Sequence, residues 1–398
     1  MSIAAEAIGA RLAGLDGVGV GEHGVHRLAW TAEDAACREW FAAQAAEAGL
    51  SVERDPAGNL WACPDAEPPW WGVGSHLDSV RGGGRFDGPL GVACGFAIAA
   101  DARVPVAVVS FADEEGARFN TPTFGSKALA GRLDLPGILE RRDEHGVALG
   151  EAMGAAGVDP AGIERAPAWR QRLRGFVEIH IDQSTEVARA GLPVAVVSAL
   201  ATRCRLEAEL RGRADHAGTT PREERRDALA AAARLIVAAD ELGAEAGVTV
   251  TTARMLVEPN AATTIAELVR LWIDGRSADA VALETWRAAL GDAAGELAGR
   301  SGVEIALELA SRSAGRAFDS GLRLRLRQAG QDALGRAIPE AVCFAGHDAG
   351  VLAEHLPAAM VLVRNPTGVS HSPAEDVALE DAAIAAEVVR AALEEDAS

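Results

Sequence analysis

The sequence predicts an α/β protein whose main domain is interrupted by an inserted α+β domain. Three observations carry this prediction. First, apolar β-like runs end in polar motifs: Trp70 to Ser75 runs into His76, Val104 to Phe111 into Asp113-Glu114-Glu115, Phe176 to Ile179 into His180, and Met360 to Val363 leads toward His371. Second, helical patterns lie between these runs, at 89–101 and 378–394 for example. Strands alternating with helices argue for an α/β sheet, and such sheets place their chemistry at strand ends. Third, the pattern changes at residue 201. Residues 201–213 (ATRCRLEAELRGR) alternate apolar and polar residues with period two, as a half-exposed strand does.

The elements after that change follow in order: a helix over 226–239, strands over 248–256 and 265–274, and a helix over 280–297. This β-α-β-β-α order describes a small domain with an open sheet face. A helix over 317–335 then returns the chain to α/β character. The expected organisation is a larger domain of residues 1–200 and 316–398 with a second domain, 201–315, inserted into it. A chain of 398 residues also exceeds what one ordinary core serves.

Composition excludes several classes. The balance of 49% hydrophobic and 24% charged residues is that of a globular protein. With a net charge of −20 and no sustained Lys/Arg run, the chain lacks the basic patch of a nucleic-acid binder. Local cationic spots such as Arg276 can then mark where an anion binds. The cysteines (Cys37, Cys63, Cys94, Cys204 and Cys343) are odd in number and without CxxC spacing, which fits reduced thiols better than disulfides or a zinc ribbon. The segment MSIAAEAIGARLAGLDGVG reads as an amphipathic helix and not as a signal peptide. No run approaches the roughly 18 apolar residues of a membrane span. The expectation is a cytoplasmic protein without membrane or nucleic-acid partners.

Of nine histidines, His76, His180, His216, His347 and His371 sit in polar, Gly- or Ser-flanked contexts at element ends; His23, His26, His145 and His355 read as surface or packing residues. In Gly74-Ser75-His76-Leu77-Asp78, a strand-end His can bind a metal through one ring nitrogen while Asp78 fixes the other. In Gly82 to Gly91, glycines around Asp87 let the backbone turn sharply and present a carboxylate whose two oxygens can bridge two cations. Three successive carboxylates, Asp113, Glu114 and Glu115, repel one another unless solvated or bound to cations. One of the two glutamates can ligate metal while the other stays free as a general base. Three His, one Asp and one Glu, each at its own strand end, suit Zn²⁺, Mn²⁺, Co²⁺ or Ni²⁺.

The ordered motifs GSHLDS, GGGRFDGPLG, ADEEGARF, VEIHIDQ, GRADHAGTTP, GHDA and GVSHSP resemble those of the M20 metallopeptidase superfamily. More narrowly they resemble its carbamoylase branch: allantoate amidohydrolases, N-carbamoyl-L-amino-acid hydrolases and β-ureidopropionases. The likeness runs from about residue 20 to 395. It implies a mixed-sheet α/β/α catalytic domain of the zinc-aminopeptidase type carrying an inserted lid and dimerisation domain. It implies two divalent metal ions per subunit: His76, Asp87 and His180 for the first, Asp87, Glu115 and His371 for the second, with Asp87 bridging. It makes Glu114 the general base and Asp78 the residue that orients His76. His216 would stabilise the oxyanion, reaching in from the partner of a homodimer. Gln183, Thr263 and Arg276 would hold the substrate, Arg276 through a bidentate grip on a carboxylate, and His347 with Asp348 would line the same site.

The chain departs from the family pattern at several places, among them Ala266-Glu267 where Pro-Gly usually follows PNAxN. Asp182 stands in HIDQ where the family has Glu, and Thr263 stands where PNAxN has Asn. Arg364 is a further cation shortly before His371. The first-choice substrate from these residues is allantoate, whose second ureido arm suits Gln183, Thr263 and Arg364. N-carbamoyl-L-amino acids or N-carbamoyl-β-alanine are the alternatives. An M20-type dipeptidase or deacylase, or a non-catalytic binding protein on this fold, are the more distant ones.

Overall fold

The computed structural model describes residues 3–395. The chain divides into two compact units: Ala199–Arg316, and the flanking segments through Ser198 and from Ala317. The sequence expectation puts these boundaries at 201 and 315; it also takes in residues 1–2 and 396–398, which lie outside those described. In chain order the principal elements are α1 (Ala5–Ala13), α2 (Ala32–Glu47), β1 (Ser51–Arg54), β2 (Leu60–Cys63), β3 (Trp70–His76), α3 (Pro89–Asp101), β4 (Val106–Phe111), α4 (Phe124–Leu129), β5 (Leu173–Ile181) and β6 (Val194–Leu200). The inserted unit follows with β7 (Thr202–Arg211), α5 (Ala228–Ala246), β8 (Thr249–Glu258), β9 (Leu268–Ser277), α6 (Ala280–Ser301) and β10 (Glu304–Ser313). The chain ends with α7 (Ser320–Leu334), β11 (Glu340–Cys343), α8 (Asp348–Leu352), β12 (Ala358–Val363) and α9 (Leu379–Glu394).

In the larger unit the strands lie in the order β6-β12-β5-β3-β4-β2-β1, with β11 beside β6. The middle four, β12, β5, β3 and β4, are parallel. The flanking pairs β6/β12, β2/β4 and β1/β2 are antiparallel. This is the mixed sheet expected. The parallel strands β3, β4 and β12 are buried at every position, which is why they read as continuous apolar runs and not as alternating ones. Val73, Val177, Ile179 and Val361 pack with Leu90 and Ile98 of α3, Leu322 and Leu326 of α7, and Val388 and Val389 of α9. Each such side chain contributes about 1.5–3 kcal/mol on burial, so the strand ends that carry the chemistry project from a rigid base. Helix α3 is buried from Pro89 through Ile98. It comes so close to β5 that a Cβ on Gly91 would lie 2.1 Å from the Ile179 carbonyl oxygen.

The inserted unit is a four-stranded antiparallel sheet, β8-β9-β7-β10, with α5 and α6 on one face. Leu206, Ala208, Leu210, Val269, Leu271 and Ile273 alternate inward against Leu235, Trp286 and Leu290. The fourth strand, β10, corrects the β-α-β-β-α reading to β-α-β-β-α-β. Its sequence EIALELASRS is rich in Glu, Ala and Leu, residues with strong helical propensity, and it is an edge strand supported by β7 alone. The period-two signal was present in Ile305, Leu307 and Leu309.

All five cysteines are free and buried. Among the described residues no helix is long and apolar enough to cross a membrane.

Candidate metal centre

Parallel strands share a C-terminal edge, and that edge collects the predicted residues of the larger unit. His76 ends β3, and His180 is the penultimate residue of β5. Glu114 and Glu115 follow β4, His371 lies in the loop after β12, and Asp87 precedes α3. The turn into α3 is possible because Gly88 adopts φ 86°; a Cβ there would sit 2.6 Å from the His76 ring.

Asp87 is the hub. It is 3% exposed, and its Oδ1 lies 3.5 Å from His76 Nε2 and 3.1 Å from His180 Nε2. Its Oδ2 faces the other way, 3.7 Å from His371 Nε2, and that nitrogen is 3.4 Å from Glu115 Oε2. Two ligand groups result, His76/Asp87/His180 and Asp87/Glu115/His371, with Asp87 in both. The His76 and His180 rings stack with centroids 5.7 Å apart. Each Nδ1 meets a backbone carbonyl, Asp78 O at 3.0 Å and Ile181 O at 2.9 Å. Both Nε2 atoms are thereby left buried without a hydrogen-bond partner. A buried nitrogen lone pair beside a carboxylate fits a divalent cation, and an imidazole and carboxylate donor set suits the metals named above.

The charges point the same way. Burial pushes Glu115 up to about 8, and the neighbouring charge of Asp87 adds to this. Burial also holds Glu114 well above the ordinary carboxylate range, against the opposing charge of His76. Burial disfavours charge on His76, but the carboxylates of Asp78, Asp87 and Glu114 around it outweigh this and raise its pKa well above the usual value. Crowded carboxylates thus hold protons that divalent cations would replace. Glu114 is 6% exposed, with Oε2 3.9 Å from His76 Nε2, and belongs to neither ligand group.

Buried carboxylates strap the ligand-bearing loops. The two oxygens of Asp78 accept the backbone N–H groups of Glu114 (3.1 Å) and Glu115 (3.0 Å). Its carboxylate stands 3.5 Å from His76 Nδ1, farther than its own carbonyl, so it orients the acidic loop more directly than the imidazole. Glu375, which the sequence reading missed, accepts the N–H groups of Phe86 (2.7 Å) and Asp87 (3.0 Å) on one oxygen. The only sequence signal was a carboxylate four residues after His371. Gln183 Nε2 donates to Asp87 Oδ2 at 2.9 Å, and Ser370 Oγ does so at 3.1 Å. Asp182 accepts from Ser184 N, Ser184 Oγ and Val187 N, so its carboxylate caps the turn after β5.

His347 is 2% exposed, neither ring nitrogen has a partner, and its ring centroid is 4.4 Å from that of His180. Burial keeps it neutral, far below the ordinary imidazole pKa. Glu178, also missed, lies beside it; its oxygens are taken by Ser75 Oγ and Ala349 N. Arg364 corrects an expectation. Its guanidinium forks onto Asp381 at 2.7 and 3.1 Å, which makes it a structural ion pair and not a waiting substrate cation.

The other predicted residues belong to the inserted unit. His216 is exposed, in a short strand paired with Thr264, and Thr263 O accepts from Ala217 N. His216 Nδ1 accepts the N–H groups of Gly218 (3.0 Å) and Thr219 (3.2 Å), which leaves Nε2–H as a donor. Arg276 is near the far end of β9, with Nε on Asp274 at 2.7 Å. At roughly 3.3 Å per residue, it lies on the order of 25 Å along the sheet from the end where His216 and Thr263 meet.

The chain matches peptidase family M20/M25/M40 over residues 72–395. It is 38% identical over 380 residues to an N-carbamoyl-L-amino acid amidohydrolase of Geobacillus stearothermophilus, covering 92% of each chain. It is 30% identical to an allantoate amidohydrolase of Bacillus subtilis, covering 88% of each. Among solved structures it is similar to a hydantoinase/carbamoylase family amidase from Burkholderia multivorans, with a TM-score of 0.87 at 31% identity over 98% of this chain and 97% of that one.

Proposed function

The chain belongs to peptidase family M20/M25/M40, and from that premise we propose that it hydrolyses the ureido C–N bond of an N-carbamoyl-L-amino acid. One observation carries the catalytic part of this reading: His76 and His180 turn partnerless buried nitrogens toward Asp87, with the unligated Glu114 beside them. His76, Asp87 and His180 would hold one divalent ion, and Asp87, Glu115 and His371 the second. Zinc or manganese is the first expectation, with cobalt or nickel compatible. When bound, such ions polarise a carbonyl and lower the pKa of water. The ureido carbonyl needs this help, because two nitrogens deactivate it by resonance.

Glu114 takes the proton from the attacking water and passes it to the leaving nitrogen. His216 Nε2–H donates to the oxyanion. Arg276 grips the substrate carboxylate, and Gln183, Thr263 and His347 line the remaining contacts. The released carbamate breaks down to CO₂ and ammonia. A small substrate cannot span the length of β9 that separates His216 from Arg276. Using both on one molecule therefore takes two copies of the chain, which supports a homodimer with His216 acting across it.

Allantoate is the second reading, favoured by the polar groups of Gln183 and Thr263. It loses the support of Arg364, which Asp381 holds. Ammonia release on a panel of N-carbamoyl-L-amino acids, N-carbamoyl-β-alanine and allantoate tests the choice. Fast turnover of allantoate beside none of a carbamoyl amino acid reverses it.

A further inference from the structure

We propose that Asn59, oriented by Asp55, is a positioning residue for the loop that carries Glu114 and Glu115; the proposal rests on the roles given to those two residues above. The loop leaves β4 at Ala112 and closes at Gly125. Its ends are joined by Gly125 N to Ala112 O (2.9 Å), Phe124 N to Asp113 O (3.1 Å) and Thr123 N to Glu114 O (2.6 Å). Between these ends Asp113, Asn120 and Thr123 adopt φ of 53°, 55° and 56°. Left-handed residues other than glycine persist only where the surroundings over-determine them.

Asn59 supplies that constraint. It is 0% exposed and immediately precedes β2, whose antiparallel pairing with β4 (Leu60 opposite Ser110) brings it beside the loop. Its Oδ1 accepts Ala112 N at 2.9 Å, and its Nδ2 donates to Gly125 O at 3.2 Å. One amide group thus pins both ends. Gly125 leaves the necessary space, since a Cβ there would sit 1.9 Å from Asn59 Oδ1.

Asp55 fixes which way the amide faces. It is 3% exposed; Oδ1 accepts Ala57 N (2.8 Å) and Asn59 N (3.1 Å), and Oδ2 accepts Asn59 Nδ2 (2.7 Å) and Trp61 Nε1 (3.1 Å). Nδ2 must face this carboxylate, so Oδ1 must face Ala112. With Asp78 holding the N–H groups of Glu114 and Glu115, the loop is fixed at its ends and at its chemistry-bearing start. A displacement of about 1 Å at a catalytic group costs on the order of 100-fold in rate.

The test compares Asn59→Ala, the near-isosteric Asn59→Asp, which puts an acceptor where a donor is required, and Asp55→Asn. Kinetics and calorimetric zinc titration of the chelated protein are measured well below each melting temperature. Ile8→Ala, a cavity variant in α1, serves as the stability control, and Glu114→Gln runs in parallel. The expected result is a kcat about 10- to 100-fold lower for the Asn59 variants, KM within about threefold, and weakened binding of one of two zinc ions. Ile8→Ala keeps its kcat at a comparable loss of melting temperature. If the Asn59 variants do not fold, Asp55→Asn carries the same expectation, with a smaller loss of kcat. Wild-type kcat in the folded variants, or a loss no larger than that of Ile8→Ala, overturns the proposal while the reading of Glu114 stands. Full activity in Glu114→Gln overturns that reading, and the proposal falls with it.

Discussion

Replacing Glu375 with Ala perturbs Asp87 without touching any ligand atom. Glu375 is 5% exposed and holds two successive N–H groups, those of Phe86 and Asp87, at 2.7 and 3.0 Å on one carboxylate oxygen. Hydrogen bonds to a charged group contribute about 1.5–3 kcal/mol each, and a buried donor left unpaired costs about 1–3 kcal/mol. The vacated space beside Gly84, where a Cβ would now lie 1.9 Å from the Glu375 carboxyl carbon, can admit water and recover part of this. The net expected loss is about 3 kcal/mol of stability in urea denaturation. Because the strap sets the direction of the bridging carboxylate, zinc affinity should also fall about 10- to 100-fold. Glu375→Gln keeps an acceptor and should lose only about a third to a half of that stability. An alanine variant with unchanged stability and zinc affinity refutes the strap; equal losses for Ala and Gln refute the assignment of its effect to the two N–H groups.

Glu114→Gln should lower kcat by about 10²- to 10⁴-fold while the protein still binds two metal ions, since Glu114 is in neither ligand group; metal analysis beside steady-state kinetics checks both. Arg364→Ala should cost less than about 1 kcal/mol in thermal unfolding, because the Arg364–Asp381 pair is partly solvated, and should leave KM within about twofold. A tenfold rise in KM would return Arg364 to the substrate. Mixing Glu114→Gln with His216→Ala protein under exchange conditions should restore about a quarter of wild-type activity, as half the dimers then contain one intact composite site; no recovery places His216 in the same subunit as its metals.

The sequence made the ligand residues legible because His76 and His180 close apolar strands, Glu115 and His371 follow such strands, and Asp87 lies in a Gly-rich turn. The fold converts those strand ends into one edge. What stayed hidden was long-range. Glu375 lies 288 residues from Asp87 in sequence, and nothing local distinguishes it from a surface acid. Asn59 and Asp55 sit in the turn between β1 and β2, with no local sign of a further role. Their reach to Ala112 and Gly125 depends on strand order. Arg364 looked available because its partner, Asp381, sits in a helix whose packing the sequence does not reveal. Strand β10 was missed because its residues favour helix locally, while its pairing with β7 decided the outcome. Asp182 and Thr263 were legible as departures from the family pattern, but only the turn contacts of Asp182 give its shortened side chain a role.

Anomalous scattering from crystals grown with zinc is the most direct test of the metal centre. The account predicts two peaks per chain, one among His76, Asp87 and His180 and one among Asp87, Glu115 and His371, with a different Asp87 oxygen facing each. A single peak among Glu178, His180 and His347, a third ligand group among the described residues, or no peak at the His76–Asp87 pair, would contradict it.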